Sequence, residues 1–226
     1  QFVIPVYQRN YDWLIDNCDQ LFSDLVKLSR SNRCSHFFGS IVTSSADSSY
    51  NRLVIDGQQR LTTISLLLLA GIKAVKTGAI EISEESKIDE AYEVFLKAKF
   101  CNSERKIKLV PIENDRIAYD KIFNEEDSFD EDSKVTRNYR HFYDLLTRKP
   151  QALSFDQLLD AIERLQIISI ELDSDDDAQL IFESLNSTGL ALTEADKIRN
   201  YLLMSLTPEE QHMCFKNYWQ KIEQAT

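Results

Sequence analysis

An apolar helix in the first third of the chain limits how the chain can fold. Residues 64–75 form the longest apolar run, interrupted by a glycine and a lysine, and the run is too short to cross a membrane. A helix that is apolar on all sides is buried in the middle of a domain. Residues 52–55 before it read as a strand that ends at Asp56-Gly57. The sequence therefore predicts a strand, a tight turn and a central helix in direct succession.

Apolar spacing along the rest of the chain predicts helices mixed with short strands. Residues 2–7 read as an edge strand, because Pro5 cannot donate to a sheet ladder, and alternation over 94–110 predicts a hairpin. Further strands are predicted at 37–42 and 166–172, and helices at 13–28, 59–75, 114–123, 135–147, 154–165, 173–185, 194–206 and from Thr207 onward.

The predicted fold class is α+β. A soft boundary near residue 80 separates an N-terminal α/β unit with a small mixed sheet, residues 1–80, from a mainly helical part. That second part, residues 81–226, contains the hairpin and a strand and completes the same domain. No internal repeat and no Pro/Gly-rich linker argues for a further division.

Charge and cysteine content exclude several classes of protein. The net charge of −11 argues against a protein that coats nucleic acid by charge alone, although a local basic site remains compatible with it. The four cysteines show neither a CxxC pair nor the spacing of a disulfide framework, and the histidines and cysteines never fall at zinc-ligand spacing. Without a secretory leader or a membrane span, a cytoplasmic location is expected.

The turn between the strand and the central helix is suited to an anion, because the first helical N–H groups and the positive end of the helix dipole face it. Gly57 would let a phosphate approach the backbone, and Arg60 could form a bidentate contact with it. Asp56 could hold Mg²⁺ or orient a water molecule. Thr62 and Thr63 would add hydroxyl donors one turn on.

The two glutamines that follow the turn glycine, Gln58 and Gln59, could orient an attacking water in phosphoryl hydrolysis. The chain has no GxxxxGK[ST] motif, so it is not a P-loop enzyme. The plain alternative is a turn aspartate, a turn glycine and a surface arginine without catalytic roles.

Two other polar clusters are candidate ligand contacts. In the first, Tyr7, Gln8 and Arg9 stand between a strand and a helix, where aromatic and guanidinium groups could stack on a base, whereas Trp13 is interpreted as a core residue. His36 begins a strand and is more typical of a structural histidine than of a ligand.

The second cluster is the loop Asn186-Ser187-Thr188-Gly189 between two helices. It could face a ligand together with Lys197, Arg199 and Asn200 on the helix that follows. The alternative is an ordinary helix connection with a left-handed Gly189 and Thr193 as the next N-cap.

Four ordered motifs together resemble the DUF262 family. They are Phe2-x-Ile-Pro-x-Tyr-Gln-Arg-x-Tyr-x-Trp13, His36-Phe-Phe-Gly-Ser-Ile-Val42, Ile55-Asp-Gly-Gln-Gln-Arg-Leu-Thr-Thr63, and Phe182-Glu-x-Leu-Asn-x-x-Gly189 followed by Leu192-Thr-x-Ala-Asp-x-Ile-Arg-Asn200. The set spans almost the whole chain, and its order makes it specific.

The resemblance implies a ParB/sulfiredoxin-like fold, in which a Gly-x-x-Arg turn binds nucleotide phosphate; here Gly57 to Arg60 match that turn. It also implies the N-terminal part of a GmrSD-type, modification-dependent anti-phage restriction protein that hydrolyses nucleoside triphosphate. The implied partners are a nucleoside triphosphate with Mg²⁺, DNA such as modified phage DNA, an HNH-type nuclease domain or subunit outside this chain, and a second copy in a homodimer.

The same resemblance implies roles for the candidate residues. Asp56 would serve Mg²⁺ or water, Gln58 or Gln59 would position water, and Gly57 and Arg60 would bind phosphate. The remaining nucleotide contacts would come from the residues that the motifs bring in: Tyr7, Gln8, Arg9, His36, Gly39, Thr62, Thr63, Asn186, Thr188, Gly189, Lys197, Arg199 and Asn200.

Two alternatives to an NTPase follow from the same motifs. A non-catalytic DNA-recognition module would use nucleotide only as an allosteric signal, and it should show a basic patch from Arg9, Arg52, Arg60, Arg105 and Lys108. A sulfiredoxin-like enzyme would need a reactive cysteine in the turn, and the turn has none.

Overall fold

The computed structural model describes residues 1–31, 34–45, 50–100, 106–148, 153–173, 175–186, 193–204 and 206–225. Its helices are α1 (Ile15–Arg30), α2 (Gln58–Lys76), α3 (Ser86–Ala91), α4 (Glu113–Phe123), α5 (Lys134–Thr147), α6 (Phe155–Glu163), α7 (Ala178–Asn186), α8 (Glu194–Leu203), α9 (Pro208–Cys214) and α10 (Gln220–Ala225). Its strands are β1 (Phe2–Val3), β2 (His36–Ser45), β3 (Arg52–Asp56), β4 (Leu109–Val110) and β5 (Leu165–Leu172).

The strands form one mixed sheet in the order β4-β1-β3-β2-β5. Strand β1 runs parallel to both β3 and β4, β2 is antiparallel to β3, and β5 is parallel to β2. The α+β class and the small mixed sheet are therefore confirmed. Two of the five strands, β4 and β5, come from beyond residue 80, so the sheet takes chain from both sides of that position.

Helix α2 is the centre of the main core, as its long apolar run predicts. Leu66, Leu67 and Leu68 are fully buried, and the surrounding cluster draws on α1, α4, α5 and α6. A Cβ at Gly71 would stand 2.8 Å from Leu158 Cδ2 of α6. The glycine in the apolar run therefore allows a close approach between two helices.

The predicted edge position of the first strand is wrong. Strand β1 has neighbours on both sides, and the N–H groups of Phe2 and Ile4 donate to Lys108 O at 2.7 Å and Val110 O at 2.9 Å. Pro5 lies just beyond the strand, where its missing N–H costs no ladder bond. The proline marks the end of the strand and carries no information about its place in the sheet.

The predicted hairpin over 94–110 is correct only near its open end. Lys97 and Ile107 form an antiparallel bridge, but residues 92–96 form a π-helical turn in which Lys97 N–H donates to Tyr92 O at 2.7 Å. In a strand, Val94 and Leu96 would lie on the same face. Leu96 is buried and Val94 is exposed, so these residues do not form a strand. The predicted turn at 102–104 lies outside the described residues.

The remaining predicted elements are confirmed to within a few residues at their ends. The capping boxes expected at Ser154 and Thr193 are formed, and Thr207 caps α9 in the same way. Gly78, with φ +70°, ends α2 in the left-handed conformation expected of a C-terminal glycine. Across the residues that the structure describes, none of the helices combines the length and the apolarity that crossing a membrane needs.

Candidate functional site

The turn between β3 and α2 depends on a glycine. Gly57 has φ 97° and ψ 6°, and a Cβ there would lie 3.0 Å from Ile41 Cγ1 and 3.1 Å from Ser40 O. Both the positive φ and the close approach to β2 disfavour any side chain at this position. The chain therefore passes from a strand directly into the central helix with no room for a loop.

The start of α2 has no cap. Gly57 supplies no side-chain acceptor, and within the described part of the chain the N–H groups of Gln58, Gln59 and Arg60 donate no hydrogen bond. Gly57, Gln58 and Gln59 are buried, whereas Asp56 and Arg60 are half-buried. Unsatisfied N–H groups at a buried helix start are unfavourable unless an acceptor reaches them.

Arg60 and Asp56 form an ion pair beside the uncapped helix start. Arg60 Nη2 lies 2.8 Å from Asp56 Oδ2, and the same guanidinium donates twice to Ser40 O, through Nε at 3.1 Å and Nη2 at 2.7 Å. Gly39, with φ +122°, lies under the arginine, because a Cβ there would come within 3.2 Å of three Arg60 side-chain atoms. The structure thus brings Gly39, Asp56, Gly57 and Arg60 together.

The two glutamines of the motif hold the chain segment that follows β1. Gln58 Nε2 donates to Gln8 Oε1 at 3.2 Å and to Arg9 O at 3.1 Å. Gln59 accepts from Asp12 N–H at 2.8 Å and donates to Asn10 O at 3.2 Å. Both amides are therefore already bonded, and water positioning by either one would require it to leave this segment.

Gln8 is part of the same network. Its side chain is buried, and Nε2 donates to Ile55 O at 2.8 Å, so it bridges the segment after β1 to the end of β3. Arg9 Nη1 lies 4.0 Å from Asp12 Oδ2, which is a loose contact. The Tyr7 side chain is also buried, and this burial raises the pKa of its phenol above the ordinary value.

The contacts of the Thr63 hydroxyl are with α2 itself and with the N-terminal segment. Thr62 and Thr63 are both buried, and the Thr63 hydroxyl donates to Gln59 O at 2.8 Å and shares a 2.7 Å hydrogen bond with the hydroxyl of Tyr11. Asn138 of α5 also donates to Tyr11, at 3.0 Å. These contacts join α2 to α5 and to the N-terminal segment.

A buried carboxylate that sequence reasoning missed fixes the same segment. Asp115 of α4 accepts from Tyr11 N–H at 2.6 Å, and burial raises its pKa from 3.8 to about 6. Its neighbour Lys134 forms an ion pair with Asp12. No local pattern marks Asp115 or Asn138, since each is brought to the segment by a separate helix.

In the polar cluster on α8, the side chains of Asp196 and Arg199 are hydrogen-bonded within the protein. Asp196 accepts from the Thr193 hydroxyl at 2.8 Å and from Arg199 Nη2 at 2.6 Å, and Arg199 Nε donates to Tyr7 O at 2.8 Å. Asn200 is buried beside them, and within the described part of the chain its Oδ1 has no hydrogen-bond partner.

Lys197 and His36 do not join these clusters. Lys197 is exposed and pairs with Glu194, 2.7 Å away. His36 lies 3.9 Å from Asp24 of α1. Asn186 ends α7, but its side chain lies outside the described residues, as do Thr188 and Gly189 of the predicted loop site.

Of the described members of the predicted basic patch, all but Arg9 have a close partner. Arg52 pairs with Glu171 at 2.7 Å, Arg60 pairs with Asp56, and Lys108 donates to Val94 O. Arg105 lies outside the described residues. No group of three or more His, Cys, Asp or Glu side chains that could hold a metal ion occurs among the described residues.

A comparison with known protein families matches most of the chain to one family. The family model for the N-terminal domain of GmrSD restriction endonucleases matches residues 1–203, which include the β3-α2 turn and all of α8. No curated protein matches the chain significantly in sequence. The chain therefore belongs to the family of GmrSD restriction endonuclease N-terminal domains, modules of restriction systems.

Proposed function

We propose that this domain binds and hydrolyses a nucleoside triphosphate at the β3-α2 turn. The observation that carries the proposal is the uncapped start of α2, where three backbone N–H groups have no acceptor among the residues that the structure describes. A phosphate group would satisfy these donors and interact favourably with the helix dipole. The half-buried Arg60 next to them adds a charged donor for a second phosphate oxygen.

Asp56 is the residue that would hold Mg²⁺. It supplies a single carboxylate, and Mg²⁺ in nucleotide sites is commonly bound by one or two carboxylates together with phosphate oxygens and water. A bound Mg²⁺ would neutralise charge on the phosphates. Within the protein, Arg60 would hold phosphate, and Asp56 would exchange its contact with Arg60 for the metal or for an attacking water molecule.

Gln58 and Gln59 support the site indirectly, through contacts within the protein. Both amides bind residues 8–12, the segment that follows β1 (segment 8–12). Their contribution in this arrangement is therefore to position the start of α2 against segment 8–12. Tyr7 and Arg199 would act in the same indirect way, through the hydrogen bond between Arg199 and the Tyr7 carbonyl. The ParB/sulfiredoxin-like fold stays a prediction, supported by the Gly-x-x-Arg spacing of the turn.

The DNA-recognition alternative receives less support from the geometry. A DNA reader needs clustered, accessible cations, whereas Arg52 and Arg60 are each bound to a carboxylate. We propose that modified DNA is recognised and cut by the larger restriction system, with an HNH-type nuclease domain or subunit as the cutting partner. The nucleotide site of this domain would then control that activity.

Phosphate release tests the proposal. We would measure release from ATP, GTP, CTP and UTP with Mg²⁺ for the unaltered chain and for Asp56→Asn, Arg60→Met and Arg52→Met. The control Arg52→Met also breaks an ion pair between an arginine and a carboxylate, but at the opposite end of β3. We expect hydrolysis of at least one nucleotide, lost in the first two variants and kept in the control.

Equilibrium binding of the same nucleotides separates two negative outcomes. Binding without hydrolysis, weakened about tenfold or more by Arg60→Met, would support a nucleotide sensor and remove the catalytic part of the proposal. Neither binding nor hydrolysis, or equal loss in Arg60→Met and Arg52→Met, would reject the turn as a phosphate site.

A further inference from the structure

A cleft of about 230 Å³ opens beside α2 on the side away from segment 8–12. Its walls are largely apolar and include Phe38 of β2, Ile64 of α2, Phe95 of the π-helical turn and Ile167 of β5. The motif residue Arg60 and the lysine Lys108 also line it. The cleft therefore combines an apolar interior with two cationic side chains.

The size of the cleft selects the class of ligand. An apolar cavity of roughly 150 Å³ is large enough for benzene, so about 230 Å³ corresponds to an aromatic system of one or two rings. A nucleobase is less suitable, because it needs hydrogen-bond partners and the lining supplies few. The Ser65 hydroxyl in the wall already donates to Leu61 O at 3.0 Å.

Among the described residues, none of the side chains that line the cleft is a carboxylate. Lys108 donates to the carbonyl of Val94, and its partial burial lowers the pKa of its ammonium. An ammonium that is poorly hydrated gains more from an anion than an exposed one does. Arg60 uses Nε and Nη2 for Ser40 and Asp56, which leaves Nη1 without a partner among the described residues.

We propose that this cleft is a second ligand site, for a small aromatic anion of one or two rings such as an aryl carboxylate or aryl sulfonate. The ring would lie among Phe38, Ile64 and Phe95, and the anionic group would bind Lys108 and Arg60 Nη1. The proposal does not depend on nucleotide binding at the turn, since the cleft has its own walls and its own second cation.

Calorimetric titration with naphthalene-2-sulfonate tests the site. Naphthalene-2-sulfonamide, of nearly the same shape but neutral, should bind about tenfold more weakly. Lys108→Met should weaken sulfonate binding by a similar factor, whereas Lys106→Met, an exposed lysine two residues earlier, should leave it unchanged.

A second pair of variants tests the location without changing charge. Ile167→Trp places a large ring at the cleft wall and should abolish binding. Ile168→Trp is the matched control, because Ile168 is similarly exposed, 54% against 46%, but points to the opposite face of β5. Thermal unfolding would verify that all four variants fold.

The expected result is sulfonate binding that is sensitive to Lys108 and Ile167 and insensitive to Lys106, Ile168 and added nucleosides. The proposal would be overturned by an absence of sulfonate binding to the unaltered chain, or by equal effects within either variant pair. Displacement of the sulfonate by nucleosides, which carry no phosphate to compete for Arg60, would also overturn it, because the cleft would then be the base pocket of the nucleotide site.

Discussion

Two helix starts contact the same N-terminal segment, and they differ in how their N–H groups are satisfied. At the start of α8, Thr193 and Asp196 form a capping box, and Asp196 also binds Arg199, which reaches the Tyr7 carbonyl. At the start of α2, Gly57 supplies no cap, although Gln58 and Gln59 reach the neighbouring residues of that segment. The start of α8 is therefore capped by side chains, whereas the start of α2 has no side-chain cap.

This difference separates a structural cluster from a candidate ligand site, even though both are rich in buried polar residues. A capped helix start has little to gain from an anion, whereas an uncapped one gains hydrogen bonds and a favourable dipole interaction. Damage to the α8 cluster should therefore reduce stability, whereas removal of the Asp56–Arg60 ion pair beside the open start of α2 should mainly reduce ligand binding.

The largest expected loss of stability is at Asp196. Asp196→Ala would leave the buried Arg199 without its carboxylate partner and would remove half of the capping box, and we expect the free energy of unfolding to fall by about 3–5 kcal/mol. Urea denaturation measures this. The control Glu194→Ala removes an exposed pair and should cost about 0.5 kcal/mol. Equal losses for both variants would contradict a structural role for the Asp196 pair.

The next effect concerns the two left-handed glycines at the ends of α2. Gly57→Ala would place a Cβ 3.0 Å from Ile41 and should cost about 2–4 kcal/mol, from backbone strain and overpacking together. Gly78→Ala has no atom within 4 Å of the new Cβ and should cost only about 1 kcal/mol. The difference in denaturation free energy measures the packing term, and its absence would show that β2 moves aside at little cost.

A pH-dependent effect is expected from Asp115, which fixes Tyr11 in the shared segment. Its pKa is raised from 3.8 to about 6 by burial, so between these values the folded state holds more protons than the unfolded state. Stability should therefore fall by about 2 kcal/mol as pH rises from about 4 to about 6. Asp115→Asn should remove this fall. Parallel pH profiles for the two proteins would refute the assignment.

A smaller stability effect is expected at the Asp56–Arg60 ion pair of the proposed ligand site. Arg60→Met breaks a half-buried ion pair and should reduce the free energy of unfolding by about 1 kcal/mol. A loss as large as that of Asp196→Ala would show that Arg60 is as structural as Arg199, and the contrast between the two helix starts would fail.

The sequence predicted the fold where local patterns decide the structure. The apolar run of α2, the capping residues at Ser154 and Thr193 and the strand over 166–172 all carry their own signals. The errors at β1 and at residues 92–96 arose because position in a sheet and burial of one face depend on distant chain.

The candidate site was predictable in part for the same reason. Asp56, Gly57 and Arg60 lie within five consecutive residues, so their proximity follows from the turn alone. The structural use of Gln58 and Gln59 and the contribution of Asp115 depend on tertiary packing. No pattern of neighbouring residues could have indicated those contacts.

The central claim is that the open N–H groups of α2 bind nucleotide phosphate. Backbone amide NMR spectra recorded while a nucleoside triphosphate and Mg²⁺ are added test it directly. We predict the largest amide shifts at Gln58, Gln59 and Arg60, with little change at Asp196, whose N–H already donates to Thr193. Shifts that avoid residues 58–60, or that are as large at Asp196, would contradict the assignment of the turn as the phosphate site.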